Sequence, residues 1–365
     1  MDPLTQPASK CAKLKGENSQ LRSEGSTMKI VRIGIDLAKN IFHLHGVDEH
    51  GKRVFSKQLK RKQVLPYLAN IPECEIGMEA CGGSHYWARS IMKLGHKVKM
   101  MAPQYVKPYV VGNKNDANDA AGICEAMSRP HMRFVEVKTV EQQDMALLHR
   151  IRSRAVRDRS ALVNQVRGLL AEYGIAISKG ISQVRNRLPD ILEDGDNELS
   201  GYGRELFHSL YLELVEMDKR IGEMDKQLKR IANETKACQR LQTVPGLGPV
   251  VSGAIYSHIG NASQFKNGRQ LAAYLGLVPK QHSSGGKDKL LGISKRGNVY
   301  VRTLIIHGAR SVVNAAVNKT DPLSQWLNEL VKRRGKNIAT VALANKNART
   351  VWAILTKEEV YKAAV

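Results

Sequence analysis

The sequence has no long apolar run, and this absence argues against a membrane protein. No segment of the 365 residues approaches the roughly 18 to 20 uncharged apolar residues that a membrane-spanning helix requires. The beginning of the chain also lacks the apolar centre of a secretory signal. We therefore expect a cytoplasmic protein without a membrane partner.

Cysteine is scarce, and its spacing forms no pattern. The five cysteines are far apart and none belongs to a CxxC pair, which argues against a disulfide framework and against a thiolate zinc site. We expect reduced thiols, most of them in the core. The motifs GxxxxGK[ST], GxGxxG, GxSxG and HExxH are absent too, so nucleotide hydrolysis, dinucleotide redox, esterase and zincin chemistry have no support.

Acidic residues are few compared with basic ones. Lys and Arg number 57 against 34 Asp and Glu, so the formal net charge is +23. This excess is spread along the chain and exceeds what solubility requires, which favours a polyanionic partner, nucleic acid first of all. A basic protein whose charge serves only solubility is the alternative.

The composition, with 42% apolar and 25% charged residues, predicts a globular protein of about two domains. Residues 1–27 are polar and without periodicity, so we expect a disordered leader, and translation could start at Met1 or at Met28. Residues 28–137 follow the order β-β-β-α-β-α-β-α, which is typical of a mixed sheet flanked by helices, an α/β domain. The residues Asp48-Glu49-His50-Gly51 are typical of a turn and predict one within the three-stranded meander that opens this domain.

Residues 138–238 predict a helical arm with long helices at Glu141–Tyr173 and Glu205–Ala232. The second helix carries an apolar seam with four-three spacing, which indicates a coiled coil or, equally, an amphipathic helix packed inside the chain. The seam consists of Leu210, Leu214, Met217, Ile221, Met224, Leu228 and Ile231.

Residues 239–365 are predicted to form a mainly helical C-terminal domain, with helices near 298–318, 322–333 and 337–356. At its start, Pro245-Gly246-Leu247-Gly248 lies between two apolar helical stretches and resembles a helix-hairpin-helix element. Gly246 and Gly248 would let backbone N–H groups approach a phosphate closely. A plain tight turn between helices is the alternative.

Acidic residues at the ends of predicted elements are the first candidates for chemistry. Asp36 and Glu79 each end a strand, and Asp116 and Asp119 share one face of a helix, where Asp116 could instead act as an N-cap. Four converging carboxylates repel one another unless cations neutralise them, so we expect Mg²⁺ or Mn²⁺. Two such ions could clamp a phosphodiester.

Two other groups of residues are weighed as candidates. Ser283 and Ser284 precede Gly285-Gly286-Lys287, a flexible basic loop that could present a nucleophilic hydroxyl or simply bind a phosphate. The basic residues nearby are Lys287, Lys289, Lys295 and Arg296. His43 and His45 alternate on a predicted strand, are expected one on each face, and are interpreted as packing residues rather than metal ligands.

Six motifs occur in an order that resembles the DEDD transposases of the IS110 family. They are IGIDLAK, GMEACGG, NKNDANDA, VPGLGPVVSGAI, AAYLGLVPKQHSSGGK and GISKRGN, and the similarity spans about residues 29 to 356. That family is related to the Piv and MooV proteins and is described as bridge-RNA-guided recombinases. The resemblance implies an N-terminal RuvC-like (RNase H-type) domain, a coiled coil, and a C-terminal transposase domain with a serine nucleophile.

The resemblance also implies roles for individual residues. The metal-binding and catalytic D-E-D-D acids correspond to Asp36, Glu79, Asp116 and Asp119. The serine corresponds to Ser284, which would attack a DNA phosphate to form a phosphoserine; Ser283 and Ser294 are less favoured nucleophiles. The implied partners are donor and target DNA, a structured bridge RNA, and further copies of the chain, as dimers that assemble into a synaptic tetramer.

Two further functions compete with RNA-guided recombination. A RuvC-like nuclease, such as a Holliday-junction resolvase, would use the acids and a metal-activated water without any serine. A non-catalytic DNA- or RNA-binding protein would use neither, and substitution of Asp36 would then change nothing measurable.

Overall fold

The computed structural model describes residues 29–113, 115–285 and 287–362, with the side chains of Ser284, Lys287 and Asp288 excluded. The predicted leader at 1–27 therefore lies outside the described residues. The chain divides into two compact units. The first comprises the residues up to Cys81, Ser90–Lys99 and Pro103–Met132, and the second comprises Gly82–Arg89, Met100–Ala102 and the residues from Arg133 onwards.

The N-terminal part contains a mixed six-stranded sheet with the order β3-β2-β1-β4-β5-β6. Its strands are β1 (Arg32–Asp36), β2 (Ile41–Val47), β3 (Arg53–Lys60), β4 (Glu75–Glu79), β5 (Lys97–Met101) and β6 (Phe134–Val135). The helices in this part are α1 (Val64–Ala69), α2 (Ser84–Met92), α3 (Pro103–Val106) and α4 (Asp116–Met127). The predicted mixed sheet with helices is thus confirmed, while α3 and β6 were not predicted.

The meander of the first three strands follows from its sequence. β1 pairs antiparallel with β2 and β2 with β3, and the Asp48 carboxylate accepts hydrogen bonds from the backbone N–H groups of His50 and Lys52 in the predicted turn. β1 also pairs in parallel with β4. The alternating apolar residues of these strands are buried together with one side of α4, and the group includes Ile33, Ile35, Phe42, Leu44, Ile76, Met78 and Ile123.

The rest of the chain is mainly helical, as predicted. Its helices are α5 (Val140–Ala171), α6 (Ile181–Glu193), α7 (Gly201–Glu234), α8 (Lys236–Gln242), α9 (Pro249–Ile259), α10 (Gly268–Tyr274), α11 (Val299–Ala315), α12 (Pro322–Arg334) and α13 (Lys336–Lys357). A hairpin of β7 (Pro279–Ser284) and β8 (Lys287–Ile293) interrupts them. Among the described residues, no helix combines the length and the apolar character needed to cross a bilayer.

The apolar seam of α7 is covered inside the chain. Leu214 packs with residues of α5 and α6, and Leu228 packs with Met145 of α5. Ile221 and Met224 of the same seam are also buried. Of the two interpretations of the seam, packing inside the chain is the one observed, because α5 and α6 supply the partner faces.

The segment predicted as a flexible basic loop is a β-hairpin instead. Ser284 ends β7 and pairs in register with Lys287 of β8. Gly285, which follows Ser284, has φ +56°, a left-handed conformation that glycine adopts without strain. The prediction was wrong because the polar and basic composition hid a glycine turn that is typical of hairpins.

The turn between α8 and α9 is fixed by two glycines that touch each other. Gly246 has φ +88°, and a Cβ at Gly308 of α11 would lie 1.9 Å from the Gly246 carbonyl oxygen. Side chains on either residue would separate the turn from α11. Gly246 therefore faces a helix of the same chain, whereas Gly248 precedes α9 with open space around its Cα.

Gly308→Ala is expected to lower the free energy of unfolding by about 1 to 3 kcal/mol, because an added methyl group overpacks this contact. The matched control is Gly222→Ala, also inside a helix, where a Cβ meets nothing within 4 Å. That substitution should stabilise the chain by about 0.5 to 1 kcal/mol through helix propensity. Urea unfolding followed by circular dichroism measures both, and a Gly308→Ala midpoint equal to or above that of the wild type contradicts the close contact.

Candidate active site

Two predicted acids lie side by side at one edge of the sheet. β1 and β4 run in parallel with Ile35 opposite Met78, so the next residues, Asp36 and Glu79, end neighbouring strands. Both side chains are partly exposed. The carboxyl ends of parallel strands meet at the same edge, which is where the polar groups of such sheets are available for chemistry.

A helix brings the other two acids to the same edge. α4 packs on β1, β2 and β4. Where α4 comes closest to β1, a Cβ on Gly34 would lie 2.1 Å from the carbonyl oxygen of Ala120 in α4. Only a residue without a side chain permits this approach, which carries Asp116 and Asp119, in the first turn of α4, towards Asp36. Gly34 therefore contributes to the site without contributing a functional group.

The start of α4 differs from the prediction in one detail. The N-cap is Asn115, whose side-chain oxygen accepts a hydrogen bond from the backbone N–H of Ala117. The N-cap role considered for Asp116 is therefore wrong, since Asp116 is the first residue inside the helix. Its carboxylate is left available, and the positive end of the helix dipole stabilises negative charge on Asp116 and Asp119.

The proximity of the four acids is visible in their electrostatics. Burial first, and then the carboxylates of Asp119 and Asp116, raise the pKa of Asp36 above its usual range. Burial, followed by Asp36 and Asp119, raises the pKa of Glu79. A group of carboxylates that disfavour one another's ionisation is typical of a cation site whose cation would relieve the repulsion.

His43 belongs to this group, although the sequence did not suggest it. In the β1–β2 ladder His43 lies opposite Asp36, and its Nδ1 atom is 3.6 Å from Asp116 Oδ2, beyond hydrogen-bonding distance. Nδ1 is buried without a hydrogen-bond partner among the described residues. Ligand atoms of Asp36, His43 and Asp116 lie within 4.8 Å of one another, close enough to share a metal ion.

The expectation that His43 and His45 lie on opposite faces of their strand was wrong. Residues two apart on a strand share a face, and both side chains are partly buried while Phe42 and Leu44 point into the core. The signal that could have identified His43 is its position in the hairpin. Counting outward from the connection between β1 and β2, at residues 37–40, places it opposite Asp36.

The serine candidates lie in the hairpin and directly after it. Ser283 is exposed, and its hydroxyl oxygen accepts a hydrogen bond from Gln281 Nε2 at 2.8 Å. Ser284 is the last residue of β7, and its side chain lies outside the described set. Ser294 follows β8, and its Oγ is buried without a hydrogen-bond partner among the described residues.

The basic residues near the serines are mostly exposed. Lys289, Lys295 and Arg296 face solvent, and the backbone carbonyl of Arg296 accepts a hydrogen bond from Arg302 at 2.7 Å. Lys295 has φ +55°, in the left-handed region. The Lys287 side chain lies outside the described set.

Comparison with known proteins identifies a transposase family from both parts of the chain. A family described as DEDD transposases of the IS110 type matches residues 33–175, and the family described as "Transposase IS116/IS110/IS902 family" matches residues 238–324. The first match includes all four acids, and the second includes the hairpin.

Full-length relatives agree with these two matches. The chain is 49% identical over 336 residues to a probable family 20 transposase of Pseudomonas aeruginosa, covering 92% of this chain and 99% of that protein. It is 48% identical over 337 residues to the transposase for insertion sequence element IS1111A of Coxiella burnetii, covering 92% and 93% of the two chains. The chain therefore belongs to the IS110/IS116/IS902 family of transposases and is an enzyme that acts on DNA.

Proposed function

We propose that this transposase cleaves and exchanges DNA strands through a covalent phosphoserine, with Asp36, Glu79, Asp116 and Asp119 as the metal-binding acids and Ser284 as the nucleophile. The single observation that carries the proposal is the convergence of the four acids at one sheet edge. The strand order β3-β2-β1-β4-β5 supports a RuvC-like assignment of this sheet. We also propose the three-domain division at 28–137, 138–238 and 239–365.

The residues at the acidic site fit a divalent cation. Their donors are carboxylate oxygens, which Mg²⁺ and Mn²⁺ both accept, and one buried imidazole nitrogen without a partner among the described residues. When bound, such a cation neutralises the carboxylates and polarises a phosphodiester. Asp36, Glu79, Asp116 and Asp119 would hold it, with His43 beside Asp36 and Asp116.

Ser284 would supply the atom that forms the covalent bond. Its hydroxyl oxygen loses its proton and attacks the phosphorus, one phosphorus–oxygen bond of the DNA strand breaks, and the released strand end takes up a proton to become a hydroxyl group. The end of β7 holds the backbone of Ser284 in a defined position beside the basic residues of the hairpin. We further propose that the acids and the serine that act together come from different subunits of a synaptic tetramer, and that a structured bridge RNA selects the DNA by base pairing.

A trapping experiment tests the proposal. The full chain is incubated with Mg²⁺, the RNA from the non-coding end of its element, and labelled donor and target DNA, and the mixture is then denatured. DNA that stays attached to the protein supports the phosphoserine. DNA that is cleaved without any adduct supports the alternative, a RuvC-like nuclease that uses metal-activated water.

His43→Asn is expected to weaken Mn²⁺ binding about 10- to 100-fold while changing Mg²⁺ binding much less, because imidazole favours Mn²⁺ over Mg²⁺ as a partner. Titration of free Mn²⁺ by electron paramagnetic resonance measures the affinity without any need for catalysis. The matched control is His45→Asn, on the same face of β2 two residues away. Equal Mn²⁺ affinities for wild type and His43→Asn would exclude the imidazole as a ligand.

A further inference from the structure

A basic cavity of about 270 Å³ lies in the second unit, and none of the four acids or the candidate serines lines it. Residues from α5, α9 and the start of α11 line it, and none of these lining residues is acidic. The charged and polar lining residues include Arg150, Arg154 and Arg157 of α5, His258 of α9, and Asn298 and Tyr300 at the start of α11.

The arginines form a positive stripe on one face of α5. Their spacing of four and three residues places Arg150, Arg154 and Arg157 on consecutive turns, and all three are exposed. Arg154 and Arg157 share a single carboxylate, that of Asp158, at 3.2 and 3.8 Å. Two guanidinium groups therefore face one acid, and positive charge remains in excess.

Arg150 stands among other cations. Burial, followed by the charge of Arg150, lowers the pKa of Lys138 below its usual range. The pKa of His258 falls to about 4 through burial, followed by the charges of Lys138 and Arg150. Two acids of the same unit have other partners, since Glu136 accepts a hydrogen bond from the backbone N–H of Asn261 and Asp225 forms an ion pair with Arg152. Arg150 and Lys138 are like charges that oppose each other, and an anionic ligand at the cavity would relieve this repulsion.

A buried histidine and a tyrosine form the floor of the cavity. The His149 side chain is fully buried, with Nδ1 3.0 Å from the Tyr300 hydroxyl and Nε2 without a hydrogen-bond partner among the described residues. Burial first of all holds the pKa of His149 at about 4, so the ring is neutral at pH 7. The positive charge of the cavity therefore comes from the arginines, while the Tyr300 hydroxyl, which is bonded to Arg152 and lies next to His149 Nδ1, is an uncharged polar group in a fixed position.

The start of α11 adds a further favourable contribution for an anion. Asn298 is the N-cap of this 17-residue helix and accepts a hydrogen bond from the backbone N–H of Val301. The partial positive charge of a helix N-terminus attracts negative groups, and the planar fork of a guanidinium matches two oxygens of a phosphate. The cavity thus combines exposed guanidinium groups, a hydroxyl group in a fixed position and a helix N-terminus, three features that recur at phosphate sites.

We propose that this cavity binds a backbone phosphate of nucleic acid, with Arg150 as its principal charged contact. The site lies outside the four acids and the serine hairpin, and it would fix the register of the nucleic acid without reading its sequence. The inference rests on the transposase acting on nucleic acid, not on the phosphoserine. The phosphate belongs either to DNA or to a structured RNA, and binding to the two is measured separately.

The test compares Arg150→Ala with Arg187→Ala, an exposed arginine of α6 that serves as the matched control. Fluorescence anisotropy gives the Kd for a labelled DNA duplex and for a structured RNA over a series of KCl concentrations. For whichever of the two nucleic acids supplies the phosphate, Arg150→Ala should reduce the slope of log Kd against log salt by about 0.9 where the contacted segment is a duplex, or by about 0.7 where it is a single-stranded segment of the RNA. If wild type and variant bind equally at 1 M salt, this change in slope corresponds to binding about four- to fivefold weaker at 0.15 M salt. Arg187→Ala should leave the slope unchanged.

Unchanged binding of Arg150→Ala to both nucleic acids would overturn the proposal. An equal loss of affinity in Arg187→Ala would also overturn it, because it would indicate that charge spread over the surface is responsible.

Tyr300→Phe provides a second measurement, because it removes a hydroxyl without removing charge: Kd should rise while the salt slope stays that of the wild type. The thermal unfolding midpoint of Arg150→Ala should not fall, since Arg150 repels its neighbours. Normal phosphate binding with no covalent adduct would refute the serine mechanism alone.

Discussion

Ser284→Ala is expected to abolish the covalent protein–DNA adduct, by about 10³-fold or more, because the substitution removes the oxygen that forms the bond to phosphorus. The hairpin should persist, since Ser284 is the last residue of β7 and alanine makes the same backbone hydrogen bonds. Denaturing gel electrophoresis with labelled DNA measures the adduct, and anisotropy should give the same DNA affinity for variant and wild type.

Ser283→Ala is the matched control for this substitution. The two residues are consecutive on a strand and consecutive residues lie on opposite faces, so one cannot replace the other. Loss of the adduct in Ser283→Ala and its retention in Ser284→Ala would move the nucleophile by one residue. Retention of the adduct in both would direct attention to Ser294, whose Oγ is buried.

Asp36→Asn is expected to reduce DNA strand cleavage by about 10³-fold or more, because it replaces the negative carboxylate of one of the four metal-binding acids with a neutral amide. The same substitution should raise the unfolding midpoint at pH 7 in the absence of divalent cations. The reason is that the pKa of Asp36 is raised in the folded protein, so its ionisation opposes folding. Cleavage of labelled DNA measures the loss of activity, and calorimetry with and without Mg²⁺ measures the change in the unfolding midpoint.

The pH dependence of the stability gain follows from the direction of the pKa shift. An acid with a raised folded-state pKa destabilises the fold once the pH exceeds that pKa, and has no effect below its usual value of 3.8, where both states are protonated. The gain from Asp36→Asn should therefore be present at pH 7 and vanish as the pH falls towards 3.8. Mg²⁺ should raise the midpoint of the wild type more than that of the variant.

Glu49→Gln serves as the control for charge alone, because Glu49 is an exposed acid in the turn after β2. Neither its cleavage activity nor its response to Mg²⁺ should change. A wild-type cleavage rate in Asp36→Asn would remove Asp36 from the catalytic machinery and would favour a DNA-binding role for this part of the chain.

Local sequence patterns predicted the elements that carry the acids. Strand alternation before Asp36 and Glu79, and the short helix that begins at Asp116, are properties of a few neighbouring residues, which is why their bounds agree with the structure. The long helices α5 and α7 were also predicted, because their apolar residues recur with the helical period. The short helices α3 and α10 were missed, since a few residues give no measurable periodicity.

The sequence by itself determined which faces of the strands and helices are apolar, and where the four acids stand along the chain. The tertiary structure alone decided what those faces meet. The seam of α7 specified burial but not a partner, and α5 of the same chain supplies it. The register of β1 and β2 set His43 opposite Asp36, and the missing side chain of Gly34 let α4 approach. Such contacts join residues distant in sequence, whose pairing depends on the whole fold and not on local preference.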